Sequence, residues 1–148
     1  MKKQNKKKGF TLVELIAVIA ILAILGAILV PRIAGYQAKA KKSNYQATAK
    51  SIVNAMKAYN SDKSDNRIDD DDTYWNATSP TGTAIDKVNN ETGTKIIDTE
   101  SANFKDFDDH INGNTEVKDI VQISLGKFNL NSDGKIVLES GVTVSIED

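Results

Sequence analysis

Glu14 is the only charged residue between Gly9 and Arg32. A carboxylate in an apolar run of that length is costly, about 2.5–3.5 kcal/mol at membrane depth on insertion scales, so it needs a partner unless it sits near the interface and is solvated. Few other residues are placed for chemistry. The chain has no Cys and one His, so a disulfide framework, a thiolate metal site, a Cys nucleophile and a His-rich metal site are all excluded. There is no Gly-rich phosphate loop, no Ser/His/Asp arrangement and no acid pair in an apolar setting, so no enzyme is expected, and no cofactor or metal. Asn129-x-Asn131-x-Asp133-Gly134 brushes the calcium-loop pattern. However, its first ligand position is Asn, and Ser140 stands at the twelfth with Glu139 one place early. A β-turn between two strands explains the same residues. Asp69–Asp72 reads as a solvated loop, with a cation site or an interface with a basic segment as the alternatives. His110 reads as a surface residue. Asn76-Ala77-Thr78 and Asn90-Glu91-Thr92 are glycosylation sequons that matter only where the organism has that pathway.

The elements that carry these residues follow from charge and period. The 148 residues suit one domain with an appendage, and the net charge of -1 conceals a segregation. Residues 1–9 carry five Lys and no acid. Residues 10–30 carry Glu14 alone. Residues 31–60 carry six basic residues and no acid, and residues 61–148 carry eight basic residues against 19 acids. The 21-residue apolar block would span about 31 Å as a helix, a bilayer core, and it is apolar at every angle rather than along one stripe. It is longer than the apolar region of an ordinary cleaved signal and lacks a small-x-small site at its far end. The leading lysines should stay in the cytoplasm and the rest be exported. Pro31 should kink the helix rather than end it. Residues 36–59 contain no Gly or Pro, and Tyr45, Ala49, Ile52, Met56 and Tyr59 fall at spacings of 4, 3, 4 and 3 with Val53 beside them. That is one apolar stripe, to be packed against whatever follows.

Residues 60–114 read as an irregular connection with turn signals at Pro80-Thr81-Gly82 and Asn89-Asn90. One short helix is expected at 101–111, capped by Ser101, with Phe104, Phe107 and Ile111 on one face and Gly113 as its stop. From 117 the pattern reads as period two: VKDIVQISL, KFNLN, KIVLE and VTVSI, split by Gly126, Ser132-Asp133-Gly134 and Ser140-Gly141. The expected fold is α+β, a long bent N-terminal α-helix packed through its amphipathic second half on a small C-terminal antiparallel β-sheet of three or four strands. The expected divisions are 1–9, a basic leader; 10–60, the extended helix, with 10–30 in the membrane; and 61–148, a globular head made of the connection 61–116 and the sheet 117–148.

Gly9-Phe10-Thr11-Leu12-Val13-Glu14, placed after a short basic leader and before a 16-residue uncharged apolar run, resembles the class III signal of type IV pilins. The resemblance covers residues 1–59. It implies cleavage between Gly9 and Phe10 by a prepilin peptidase and N-methylation of the new amine of Phe10. That amine would be the partner for Glu14, on the same chain or on a neighbouring subunit. It further implies a homo-oligomeric helical filament with residues 10–30 at its core, with Phe10, Glu14 and Pro31 as assembly residues. In family filaments the stretch before the proline unwinds, here between Ala23 and Pro31; the family often has Gly where this chain has Ala23. Partners implied are the prepilin peptidase, a pilus assembly platform with its ATPase, and the cytoplasmic membrane as a single-pass station before assembly on the cell surface; no specific nucleic acid is implied. The absence of Cys resembles Gram-positive major pilins. The implied function is a structural subunit of a type IV pilus serving motility, adhesion or DNA uptake, with a pseudopilin of a type II secretion or competence system as the alternative. Arg32, Lys39, Lys41 and Lys42 are expected to meet acidic residues across subunits, with Lys50 and Lys57 nearer their own chain's connection. The competing reading is that these side chains are solvated or meet phospholipid headgroups before assembly.

Overall fold

Leu12–Ser61 form a single 50-residue helix, α1, in the computed structural model, which describes residues 9–76, 78–91, 95–113 and 115–147. Residues 1–8 of the leader lie outside the described residues. Three short helices and a hairpin follow: α2 (Ala84–Glu91), α3 (Ala102–Asp108), α4 (Val117–Ser124), β1 (Phe128–Leu130) and β2 (Ile136–Leu138). The chain divides into two compact units, Met1–Gln37 and Ala38–Asp148. The α+β class holds.

In the first unit α1 runs through Pro31, which has no amide to donate to the carbonyl of Ala27. Its large apolar side chains from Leu12 to Ile33 are all exposed. This half is long and apolar enough to cross a membrane.

In the second unit the stripe of α1 is the floor of the core. Tyr45, Ala49, Ile52, Val53, Met56 and Tyr59 are all buried, as the 3.6-residue period requires. Onto them pack Ile68, Tyr74, Ile85, Val88, Phe104, Phe107, Ile120, Ile123 and Phe128. Phe107 is fully buried, with its ring 6.0 Å from that of Tyr45 and 6.3 Å from that of Tyr74. Asn60 closes the end of α1: its amide donates to Ile68 O and its oxygen accepts from Ile68 N, both at 2.8 Å.

The expected helix at 101–111 is α3, with Ser101 Oγ accepting from Phe104 N at 3.3 Å; it ends at Asp108. Residues 117–125 depart from expectation. They form a helix, α4, where a strand is anticipated. Glu116 and Asp119 make a capping box, and Val117, Ile120, Val121 and Ser124 bury one helical face. An eight-residue apolar segment satisfies either period, and the cap decides between them. Residues 142–146 are not a strand either, so the sheet has two strands rather than three or four. α2 also lies inside the segment read as irregular; Thr83 Oγ1 accepts from Asp86 N at 3.2 Å and starts it.

The hairpin pairs Phe128 with Leu138, Asn129 with Val137 and Leu130 with Ile136. Its turn is closed by Asn131, whose Oδ1 accepts from the amides of Asp133 and Lys135 at 3.0 and 2.9 Å, while Gly134 takes a φ of 79°. The residues that brush the calcium pattern thus form a turn with Asn131 bonded to its own backbone.

The Asp69–Asp72 run is only partly solvated, with Asp69 and Asp71 exposed and Asp70 and Asp72 half-buried, and among the described residues its ion pairs are not with the basic residues of α1. Asp70 accepts from Ile146 N at 2.6 Å, Asp71 pairs with Lys118 at 2.7 Å, and Asp72 pairs with Lys87 at 2.8 Å. The backbone of the same run receives Lys118 N at Asp70 O and Val117 N at Asp72 O. Three consecutive carboxylates, Asp70 to Asp72, therefore knit α2, α4 and the C-terminal segment together.

Candidate functional site

The first three described residues, Gly9, Phe10 and Thr11, precede the helix and are exposed; Phe10 is 91% exposed. A Cβ added at Gly9 would meet nothing within 4 Å. The fold therefore does not demand glycine there, and a requirement for the smallest side chain would have to come from whatever handles the Gly9–Phe10 peptide.

Glu14 has a partner on its own chain that the sequence reading missed. Its Oε2 accepts from Thr11 N at 2.8 Å and from Thr11 Oγ1 at 2.7 Å, and Thr11 Oγ1 lies 3.3 Å from Glu14 N as its acceptor. This is a reciprocal capping box across the first turn. The signal was present as Thr11-x-x-Glu14 directly ahead of an apolar run. The box fixes the carboxylate over the helix N-terminus, where the orphan amides and the helix dipole favour a negative charge. It also holds the Glu14 carboxylate on Thr11, the residue after Phe10.

Beyond the box the side chains of Leu15, Ile16, Val18, Ile19, Ile21, Leu22, Ile24, Leu25, Ile28, Leu29 and Val30 are about half or more exposed. Among the described residues the apolar window of this half of α1 is not buried. A rod with apolar side chains at every angle, one carboxylate at its tip and an accessible peptide ahead of it is suited to burial in hydrocarbon or against copies of itself.

Pro31, Arg32 and Tyr36 follow in the first unit, and Arg32 and Tyr36 are exposed. In the second unit Lys39 and Lys41 are exposed and Lys42 is half-buried. Among the described residues no ion pair involves Arg32, Lys39, Lys41 or Lys42. Lys42 is instead engaged within its own chain, with its Nζ 5.0 Å above the ring of Phe128 and 3.5 Å from Asn129 Oδ1. Sequence reasoning could not find that contact, since its partners stand 87 residues apart. Lys57 is half-buried beside Arg67 and Glu147, while Lys50 is exposed. His110 is not a plain surface residue: its ring lies 5.4 Å from that of Tyr45, with Nδ1 2.6 Å from Asp106 O. Among the described residues no three His, Cys, Asp or Glu side chains converge as metal ligands would.

Comparison with known proteins bears on this same segment. A family model described as a prokaryotic N-terminal methylation motif matches residues 4–30. The chain is 40% identical over 58 residues to the type IV major pilin protein PilA of Myxococcus xanthus, covering 39% of this chain and 26% of the relative. It is 38% identical over 64 residues to the type II secretion system core protein G of Vibrio cholerae, covering 43% and 44%. It is 34% identical over 62 residues to the protein of the same name in Escherichia coli, covering 42% and 43%. The matched stretch thus spans less than half the length of each of these relatives. No solved structure matches the chain.

Proposed function

We propose that this type IV pilin-like protein is a structural filament subunit, made as a precursor, cut between Gly9 and Phe10, N-methylated at Phe10 and assembled through the apolar half of α1 into a type IV pilus as its major pilin. The observation that carries the reading is the exposed apolar rod of residues 12–33 with Glu14 capped at its tip. Each large apolar side chain moved out of water contributes about 1.5–3 kcal/mol, so this surface is held first by the bilayer and then by neighbouring copies. Removal of the lysine leader frees the segment from its cytoplasmic anchor. In the filament the carboxylate of Glu14 faces the amine of Phe10, while Pro31 leaves the Ala27 carbonyl without its helical donor and lets the stretch from Ala23 to Pro31 loosen. The proposed partners are the prepilin peptidase, the assembly platform with its ATPase, and the cytoplasmic membrane. The place of action is the cytoplasmic membrane before assembly and the cell surface after it.

A second reading, a pseudopilin, is supported by the similarity to two type II secretion core proteins. One experiment separates the two. Filaments sheared from cells are analysed by mass spectrometry, with wild type or Glu14→Ala as the sole copy of the gene. The pilus reading expects chains beginning at methylated Phe10 and a sharp loss of filaments with Glu14→Ala, while that variant still inserts and is still cleaved. Chains that retain Met1–Gly9 in filaments, or normal filaments from Glu14→Ala, refute the assembly mechanism. Absence from surface filaments together with a block in protein secretion on deletion selects the pseudopilin.

A further inference from the structure

We infer that Asn112-Gly113 is a site of spontaneous covalent modification, at which Asn112 cyclises onto the Gly113 amide and is converted to aspartate and isoaspartate. The inference lies wholly within the second unit and does not depend on the filament reading. Asn112 is the only asparagine in the chain that precedes a glycine. Glycine hinders this reaction least, since it sets no Cβ beside the attacking nitrogen and leaves the backbone free to turn. The reaction needs no partner but water. The Gly113 nitrogen gives its proton to solvent base and bonds to Asn112 Cγ, while the bond from Cγ to Nδ2 breaks and ammonia leaves. Water then opens the succinimide at one of its two carbonyls. Opening at Cγ gives aspartate; opening at the main-chain carbonyl gives isoaspartate, with the chain running on through the side chain. Nothing is oxidised or reduced: one amide and one water become one carboxylic acid and one ammonia.

The fold leaves the attacking and leaving groups free. Asn112 and Gly113 are both exposed and belong to neither a helix nor a strand. Among the described residues neither the Asn112 side chain nor the Gly113 amide has a hydrogen-bond partner; only the Asn112 carbonyl is engaged, by Thr115 N and Oγ1. Other asparagines are held. Asn60 and Asn89 each bond through both side-chain atoms, to Ile68 and Ile97, and Asn131 Oδ1 takes two amides. Asp133-Gly134, the one Asp-Gly pair and open to the same cyclisation, is held as well, since Gly134 N donates to Asn131 O at 3.0 Å. The fold does not itself require glycine at 113: its φ lies outside the left-handed region, and an added Cβ would meet nothing within 4 Å. Conversion puts a carboxylate into the groove that Asn112 shares with Asp119, Ile123 and Ile136. Isoaspartate also adds a carbon to the main chain inside the turn that Thr115 closes.

The test ages the full chain in detergent and mildly alkaline buffer, beside the same chain in denaturant and a folded Gly113→Ala variant. The tryptic peptide from Asp106 to Lys118 is read by mass spectrometry, and fragment ions locate the mass gain of the amide-to-acid exchange. Labelling by an isoaspartyl methyltransferase reads the isoaspartate. The gain should fall on residue 112 in the folded chain, at a rate within about tenfold of the denatured chain, because no costly opening precedes the reaction. Gly113→Ala should slow it by about tenfold or more while folding as wild type does, since the new Cβ crowds the nitrogen and stiffens the backbone. Isoaspartate at residue 133 should form in denaturant and be suppressed in the folded chain. A folded rate more than about tenfold below the denatured one overturns the inference, because the fold then protects Asn112. So does a gain located at another residue of the peptide, or an unchanged rate in Gly113→Ala.

Discussion

Asp70 should be the residue that holds the end of this cysteine-free chain in place. Its carboxylate accepts from Ile146 N at 2.6 Å, across 76 positions, while its own carbonyl accepts from Lys118 N at 3.0 Å. Ile146 is 3% exposed. Asp70→Ala removes a hydrogen bond to a charged group, worth about 1.5–3 kcal/mol, and leaves the Ile146 amide half-buried without that acceptor. If the loss falls on local opening of the C-terminal segment, exchange of the Ile146 amide should accelerate by about ten- to a hundredfold. Asp70→Asn keeps an acceptor oxygen but loses its charge, and charge-assisted bonds are roughly twice as strong as neutral ones, so it should lose about half as much free energy. Asp71→Ala is the control. Asp71 is 86% exposed and its partner Lys118 is 43% exposed, so its removal should cost about 0–1 kcal/mol and leave exchange at residue 146 unchanged. Hydrogen exchange read by mass spectrometry on the detergent-solubilised chain measures all three. Equal protection at residue 146 in Asp70→Ala and wild type would refute the assignment, as would an Asp71→Ala effect as large as that of Asp70→Ala.

Gly126 has a φ of 77°, and a Cβ there would stand 3.0 Å from Nε2 of Gln46, which donates to Ser124 O at 3.2 Å. Gly126→Ala should therefore lower stability by about 1–2 kcal/mol in thermal or denaturant unfolding. Asp108 sits at the C-terminal end of α3, where burial first, and then the neighbouring Asp109, raise its carboxyl above the usual carboxylate range, against the opposing pull of the Tyr74 hydroxyl. The native state therefore binds that proton more tightly than the unfolded state. The group favours folding below its unfolded value and loses that contribution as pH rises through its folded value. Asp108→Asn should then raise stability at pH 7 by about 0.3–1 kcal/mol, read as a higher melting temperature, through relief of a negative charge at a helix C-terminus, with the gain shrinking as pH falls through the raised folded value of Asp108. An unchanged or lowered melting temperature at pH 7 would count against this account.

The stripe from Tyr45 to Tyr59 was legible because four turns of 3.6-residue period leave no competing pattern, and α3 was legible from Ser101 and its phenylalanines. α4 was not, because its apolar positions fit two periods and only the Glu116/Asp119 cap separates them. The same type of signal marks Thr83 ahead of α2 and Thr11 ahead of α1, so cap residues were the underused information at three helix starts. The segment that holds Gly9, Phe10 and Glu14 needs no partner from elsewhere in the chain to be read, because its motif is local and falls within residues 4–30, where the methylation-motif model matches. The roles of Asp70, Asp72 and Lys42 were not, since each depends on a partner brought in from elsewhere in the chain by the fold.

The burial of residues 45–59 sets where this protein can be divided. A fragment beginning after Ser61 would lose six side chains from the floor of its core along with the Asn60 bracket on Ile68. One beginning at Ala38 would keep all of them. Heads exchanged between related chains at the end of the helix would therefore arrive without the surface they fold on. The workable splice lies near Ala38, more than twenty residues inside an unbroken helix, and any drift in the head's inner face has to be matched by substitutions upstream of that head in the reading frame.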